Sequence, residues 1–189
     1  MRNIDWNNVE EAKEFKKVTP GGYVCGITAV EDVNTPNKNG KCDYLRIELD
    51  IAEGEYKNYF LELYKSKGFW GLEMVKSYQE NSLPFFKGFL TAVENSNKGY
   101  KFNNDEKTLL RKYIGVVLRE EEYRSKDGKI KTKLVVDQVH SIDKIRSGDF
   151  TVPELKKLDV KDSPATPTFD MSAFEDIPTP DDSNLPFGF

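Results

Sequence analysis

Asp43-Tyr44-Leu45-Arg46-Ile47-Glu48-Leu49-Asp50-Ile51-Ala52 sets Leu45, Ile47, Leu49 and Ile51 against Tyr44, Arg46, Glu48 and Asp50 with a period of two. Successive side chains of an extended chain point to opposite faces, so this pattern predicts a strand with one buried face and one wet face. Such a strand needs partners, and the flanking sequence offers them. In residues 23–33, Val24, Gly26, Thr28 and Val30 alternate with Tyr23, Cys25, Ile27 and Ala29, a run rich in β-branched and aromatic types. Between the two runs, Pro36, Asn37, Asn39 and Gly40 are turn formers, and residues 34–41 are expected to make a long basic loop. Downstream, Glu53-Gly54-Glu55 is a tight connection into residues 56–64. These are expected to be a third strand, with Tyr59, Leu61 and Leu63 alternating against Tyr56, Asn58 and Phe60.

The period changes after that. Between residues 69 and 95, Leu72, Val75 and Tyr78, then Phe85, Phe86, Phe89 and Val93, recur at helical spacings, with Pro84 as a break, which predicts one or two helices. Residues 113–123 and 129–141 read as the fourth and fifth strands. They are joined by Ser125-Lys126-Asp127-Gly128, and Asp-Gly between strand-like runs is a strong hairpin signal. At the N-terminus, Trp6, Val9, Ala12 and Phe15 behind Asp5 predict a short amphipathic helix over residues 5–17, ended by Thr19-Pro20-Gly21-Gly22. Beyond Leu158 the periodicity is lost, and Pro164, Pro167, Pro178, Pro180 and Pro186 stand among Ser, Thr and Asp. Such a segment buries too little to offset the entropy of ordering, so a disordered tail is expected. The expected organisation is one domain over residues 1–158 and a tail over residues 159–189.

A chain of 189 residues has room for one domain with a true core plus an appendage. Neither a membrane-spanning run of about 18 apolar residues nor the apolar stretch of a signal peptide is visible, which points to no membrane and to a cytoplasm. Cys25 and Cys42 have no metal-ligand spacing, and His140 is the sole histidine. A metal site, a cofactor or a Ser-His-Asp device therefore lacks material, and no catalytic residue is expected. The net charge of −4 is unevenly spread. Seven acids against Lys161 alone give the tail −6, which leaves residues 1–158 at +2. A mildly basic body carries an acidic tail.

Three strands, a helical insertion between strands 3 and 4, a closing hairpin and a short N-terminal helix form the element order of a mainly β, five-stranded Greek-key OB-fold barrel. That fold binds oligonucleotides on its strand 2–3 face and through its 1–2 and 4–5 loops. The chemistry at those positions agrees. Lys38 and Lys41 fall in the first loop, and Arg124, Lys126 and Lys129 at the second. Tyr44 and Arg46 on strand 2, Tyr56 and Phe60 on strand 3, and Arg119, Tyr123, Lys131 and Lys133 on the hairpin are expected to share one patch. Cations track phosphates and aromatic faces stack bases at about 1–3 kcal/mol each, so the expected ligand is single-stranded DNA, bound without strong sequence preference.

Pro20-Gly21-Gly22-Tyr23, the run from Tyr44-Leu45-Arg46-Ile47 to Glu53-Gly54-Glu55-Tyr56, Pro84-Phe85-Phe86-Lys87-Gly88-Phe89 and the Ile114-Gly115 to Asp127-Gly128-Lys129 hairpin resemble a family of single-stranded-DNA-binding-like proteins of phages and prophages of Gram-positive bacteria. The resemblance spans most of residues 23–158 and implies an OB-fold with a role in DNA replication or recombination. The ending Asp181-Asp182-Ser183-Asn184-Leu185-Pro186-Phe187-Gly188-Phe189 resembles the acidic tail of bacterial single-stranded-DNA-binding proteins, whose terminal Pro-Phe docks in basic-rimmed pockets of replication and repair proteins. By that likeness, Asp181, Asp182, Leu185, Pro186, Phe187 and Phe189 are the expected partner-binding residues, although Gly188-Phe189 extend past the Pro-Phe. Acids steer such a tail to a basic partner, and the aromatic anchor fits a pocket.

Two other functions compete. Asp43 with Glu55-Tyr56-Lys57 forms an acid, then acid-x-Lys pattern that a metal-dependent nuclease uses to hold Mg²⁺ and activate water. The Glu120-Glu121-Glu122 run is weaker, since neighbours on a strand face opposite ways. A non-DNA interaction module is the other, because one barrel hosts many functions. Exposed strand edges would also allow a homodimer.

Overall fold

The computed structural model describes residues 2, 5–9, 16–37, 40–68 and 70–158, without the side chains of residues 36–37 and 40–42. Met1–Lys157 form one compact unit. Leu158–Phe189 form another, of which only Leu158 is described. The tail with its six expected partner-binding residues, and Lys38, lie outside the described residues, as does the Lys41 side chain. So do residues 10–15 of the expected N-terminal helix. Of that helix the described part is a 3₁₀ turn over Trp6–Asn8, where the Asp5 side chain accepts the Asn7 N–H, while residues 16–17 are not helical.

The protein is mainly β. Strands β1 (Gly21–Asn37), β2 (Gly40–Ile51), β3 (Glu73–Ser77), β4 (Tyr113–Arg124) and β5 (Ile130–His140) form one antiparallel sheet in the order β3-β2-β1-β4-β5. Helices α1 (Tyr59–Lys67), α2 (Leu83–Ser96) and α3 (Ile142–Arg146) complete it. The alternation in β2 is realised fully, with Leu45, Ile47, Leu49 and Ile51 completely buried. Against this inner face α2 packs Phe86, Phe89, Ala92 and Val93. Its Pro84 sits in the first turn, where no intrahelical N–H is required, so proline starts the helix rather than breaking it.

Three expectations fail. The long loop over residues 34–41 is replaced by strand: residues 34–37 and 40–41 belong to the β1–β2 ladder, which runs to Asn37↔Gly40. Residues 56–64 are not a strand. The Asp50 carboxylate accepts the N–H groups of Phe60 (2.9 Å) and Leu61 (3.3 Å), the unpaired donors of a helix start, and Gly68 in the left-handed region (φ 75°) ends α1. Tyr56 consequently lies in the preceding turn, edge-on to Tyr23 and Tyr59, and Phe60 is buried in the core with Leu63 one helical turn on. Neither offers a base-stacking face on a strand. The third strand is Glu73–Ser77, inside the stretch expected to be helical. It pairs with β2 from Tyr44↔Ser77 to Glu48↔Glu73.

A second, smaller cluster occupies the opposite face of the sheet. Val24 and Val117 meet Ile142 and Ile145 of α3, with Ala52 and Phe150 against them. Two glycines make this possible. A Cβ on Gly22 would stand 2.3 Å from the Phe150 ring, and one on Gly115 would stand 2.4 Å from Ile145 and 2.8 Å from the Ser141 carbonyl.

Candidate nucleic-acid interface

β1 pairs with β4 only over Tyr113 to Leu118, and from there the β4–β5 hairpin runs on past β1 to its turn. Part of the vacated edge is taken by Lys156, whose N–H donates to the Glu120 carbonyl at 3.0 Å and whose carbonyl accepts the Glu122 N–H at 2.9 Å. Residues opposite one another in an antiparallel ladder share a face. The register Arg119↔Val135, Glu121↔Lys133 and Tyr123↔Lys131 therefore gathers Arg119, Glu121, Tyr123, Lys131 and Lys133 on one side of this ribbon, with Arg119 ion-paired to Asp137 (2.8 Å) and Glu121 (3.3 Å). The Lys133 ammonium lies 5.8 Å from the Tyr123 ring centroid, a cation–π distance. Leu134 and Val136 face the core, and Glu120 on the other side pairs with Lys17.

The tip is a built turn. Ser125 N–H and Oγ–H both donate to the Lys129 carbonyl (2.9 and 2.7 Å), and the Gly128 N–H donates back to the Ser125 carbonyl with Gly128 at φ 78°. Arg124 donates to the Gly128 carbonyl at 3.3 Å. The Ser125 hydrogen bond, with a smaller contribution from Lys131, holds the Asp127 carboxyl below its usual range. Lys126 and Lys129 are exposed and carry no ion pair among the described residues. Residues 119–133 hold six cations against four carboxylates.

The strand 2–3 face has the opposite character. Arg46 lies among Glu73 (3.0 Å), Glu31 (3.4 Å) and Glu48 (3.4 Å), and the attraction of Glu73 foremost raises its pKa. Its charge is already matched, and the cluster sums to −2. Tyr44 is half-buried between Val33 and Ser77. The β1–β2 ladder closes at the last residues of β1, whereas the 4–5 turn lies beyond its first residues, past the Gly21↔Leu118 pair. The expected single patch is therefore divided. An acidic β2–β3 face and a basic β4–β5 ribbon take its place.

The nuclease pattern is also spread apart. Asp43 pairs with Asn34 near the β1–β2 turn, whereas Glu55 follows the other end of β2 and pairs with Lys16. The eight steps from Asp43 to Ile51 alone span about 26 Å of extended chain. Among the described residues no cluster of three or more His, Cys, Asp or Glu is placed to hold a metal. Cys25 is buried, and burial pushes its thiol pKa far up, the opposite of an activated nucleophile.

Two concavities escape sequence reasoning, because their walls come from distant segments. One, of about 450 Å³, lies between β3 and β5 and is lined by Met74, Val75, Lys76, Phe85 and Val135 to Val139 among others. The other, of about 520 Å³, is lined by Gly26, Thr28, Asp50, Lys57, Asn58, Leu61, Arg111 and Tyr113 with neighbouring residues. No protein-family model and no curated protein matches the chain.

Proposed function

We propose that the protein binds single-stranded DNA through the outward face and tip of the β4–β5 ribbon, on a sheet that closes into an OB-type barrel. The strand order β3-β2-β1-β4-β5 is that of such a barrel, with closure falling between the two edge strands. Residues of both edges line one cavity, and α2, between β3 and β4 in the chain, packs against β3, β4 and β5. The observation that carries the DNA reading is the register that puts Tyr123, Lys131 and Lys133 on one face, with Lys126 and Lys129 beyond them and Arg119, already paired with Asp137 and Glu121, at its inner end. Spaced cations with an aromatic between them suit a phosphate chain whose bases are free to stack.

In this reading the protein performs no chemical step. It coats or guides single strands in phage replication or recombination, and the acidic tail, ending in Leu185-Pro186-Phe187-Gly188-Phe189, recruits partner proteins in the host cytoplasm. Fluorescence titration with oligo-dT and with a duplex of equal length tests it, with Trp6 and Trp70 and the tyrosines as reporters. The expected result is tighter binding of oligo-dT that weakens with salt by about 0.7 logarithmic units per phosphate contact and decade of salt. Absence of a saturable signal at low salt overturns the proposal, and magnesium-dependent cleavage of the strand would replace it with the nuclease.

A further inference from the structure

The 520 Å³ cavity is walled by β1 (Gly26, Thr28), the end of β2 (Asp50, Ile51), the turn into α1 (Lys57, Asn58, Leu61) and the segment entering β4 (Arg111, Tyr113). Its size falls within the about 300–1,000 Å³ typical of small-ligand sites. Lys57, Asn58, Thr28 and Arg111 are exposed, and none of their side chains has a hydrogen bond or ion pair among the described residues. Tyr113 is 49% exposed and its ring borders Gly26, where a Cβ would meet it at 3.7 Å, so the floor beneath the ring edge is bare backbone. Asp50 is the exception among the polar lining. Its carboxylate is spent on the N–H groups of Ile51, Phe60 and Leu61, so the start of α1 is already capped and anion recognition falls to side chains.

Two unpaired cations, a half-exposed phenol ring and two free hydrogen-bonding side chains around one cavity match a ligand with a phosphate at one end and a flat polar ring at the other. We infer that this cavity binds a nucleotide, its phosphate held by Lys57 and Arg111 and its base laid against Tyr113 with Thr28 and Asn58 at the base edge. Asn58 (φ 60°) and Arg111 (φ 62°) are two of the three non-glycine residues with left-handed backbone among those described, and both line this cavity. Their positions are fixed by surrounding structure: the Arg111 N–H donates to the Ile27 carbonyl, and the Asn58 N–H to that of Ile51. The inference is independent of the β4–β5 ribbon, because Tyr113 begins β4 and the ribbon face lies at its other end.

Calorimetric titration of the full chain with thymidine 5′-monophosphate, thymidine and inorganic phosphate tests this. The nucleotide is expected to bind saturably at one site, with thymidine and phosphate each weaker by about tenfold or more, since each keeps only one of the two recognition elements. Lys57→Gln and Arg111→Gly are each expected to weaken it about fivefold without lowering the melting temperature, glycine being at ease at a positive φ. Lys131→Gln/Lys133→Gln is expected to leave nucleotide binding intact, which separates this site from the ribbon. Competition by 5′-phosphorylated oligo-dT, lost in Arg111→Gly, identifies the natural source as a strand terminus, and its absence identifies a free nucleotide. No saturable binding up to millimolar nucleotide, phosphate binding as tight as the nucleotide, or full binding by the Lys57→Gln/Arg111→Gly double variant overturns the inference.

Discussion

The Asp50 carboxylate accepts the backbone N–H of Phe60 at 2.9 Å, joining the end of β2 to the first turn of α1 across ten residues of chain. Removing that acceptor strands N–H donors at a buried helix start. Asp50→Ala is therefore expected to cost about 2 kcal/mol of unfolding free energy in urea titration, and Asp50→Asn, which keeps one acceptor oxygen, about half of that.

The same carboxyl has a pH signature. Burial raises the Asp50 pKa, opposed by the hydrogen bonds from Phe60, Ile51 and Leu61, so the folded protein holds this proton more tightly than the unfolded chain. Its contribution is fully present below the ordinary value of 3.8 and is lost as pH rises through the folded value. Asn binds no proton there. The stability deficit of Asp50→Asn is thus expected to be wider at pH 4 than at pH 7, and urea unfolding at the two values measures it. A deficit that narrows on acidification would mean the carboxyl is held below, not above, its ordinary range.

Gly22→Ala and Gly115→Ala are expected to destabilise by about 1–3 kcal/mol through overpacking, Gly115→Ala the more. Its Cβ meets the Ser141 and His140 carbonyls, which are backbone, whereas the three atoms nearest a Cβ on Gly22 all belong to the Phe150 ring. A double-mutant cycle with Phe150→Ala checks the assignment: with the ring gone, Gly22→Ala should cost little.

On the ribbon, Tyr123→Ala is expected to weaken oligo-dT binding by about 1–3 kcal/mol. Lys131→Gln and Lys133→Gln should each flatten the salt dependence by about 0.7 in slope. Arg46→Gln should change affinity less than any of these, since its charge is already met by Glu31, Glu48 and Glu73. A larger loss at Arg46 than at Lys131 would move the interface back to the β2–β3 face.

Deleting residues 159–189 removes a net −6 from a body of +2. Oligo-dT affinity is expected to stay equal or rise, because competing acids are gone, while pulldown of partner proteins is lost. A truncated chain that retains every partner would remove the recruiting role from the tail.

The sequence by itself determined the elements whose pattern and burial coincide. β2 was legible because one face of it is wholly buried, and the β4–β5 hairpin because Asp127-Gly128 suits a tight turn between alternating runs. From these the basic face of Arg119, Tyr123, Lys131 and Lys133 follows, since cross-strand partners share a side. Only tertiary structure decided α1 and β3. Phe60 and Leu63 fit a helix as well as Tyr59, Leu61 and Leu63 fit a strand, and the choice rests on Asp50, which reaches the helix start only once β2 is in place. Glu73–Ser77 is too short to announce itself and is a strand because β2 offers it a free edge. Charge placement was likewise beyond local reading. Arg46 looks like a phosphate ligand in sequence, but Glu31 and Glu73 arrive from neighbouring strands to neutralise it, and Lys57 and Arg111, unremarkable in the chain, meet at a cavity only in the folded protein.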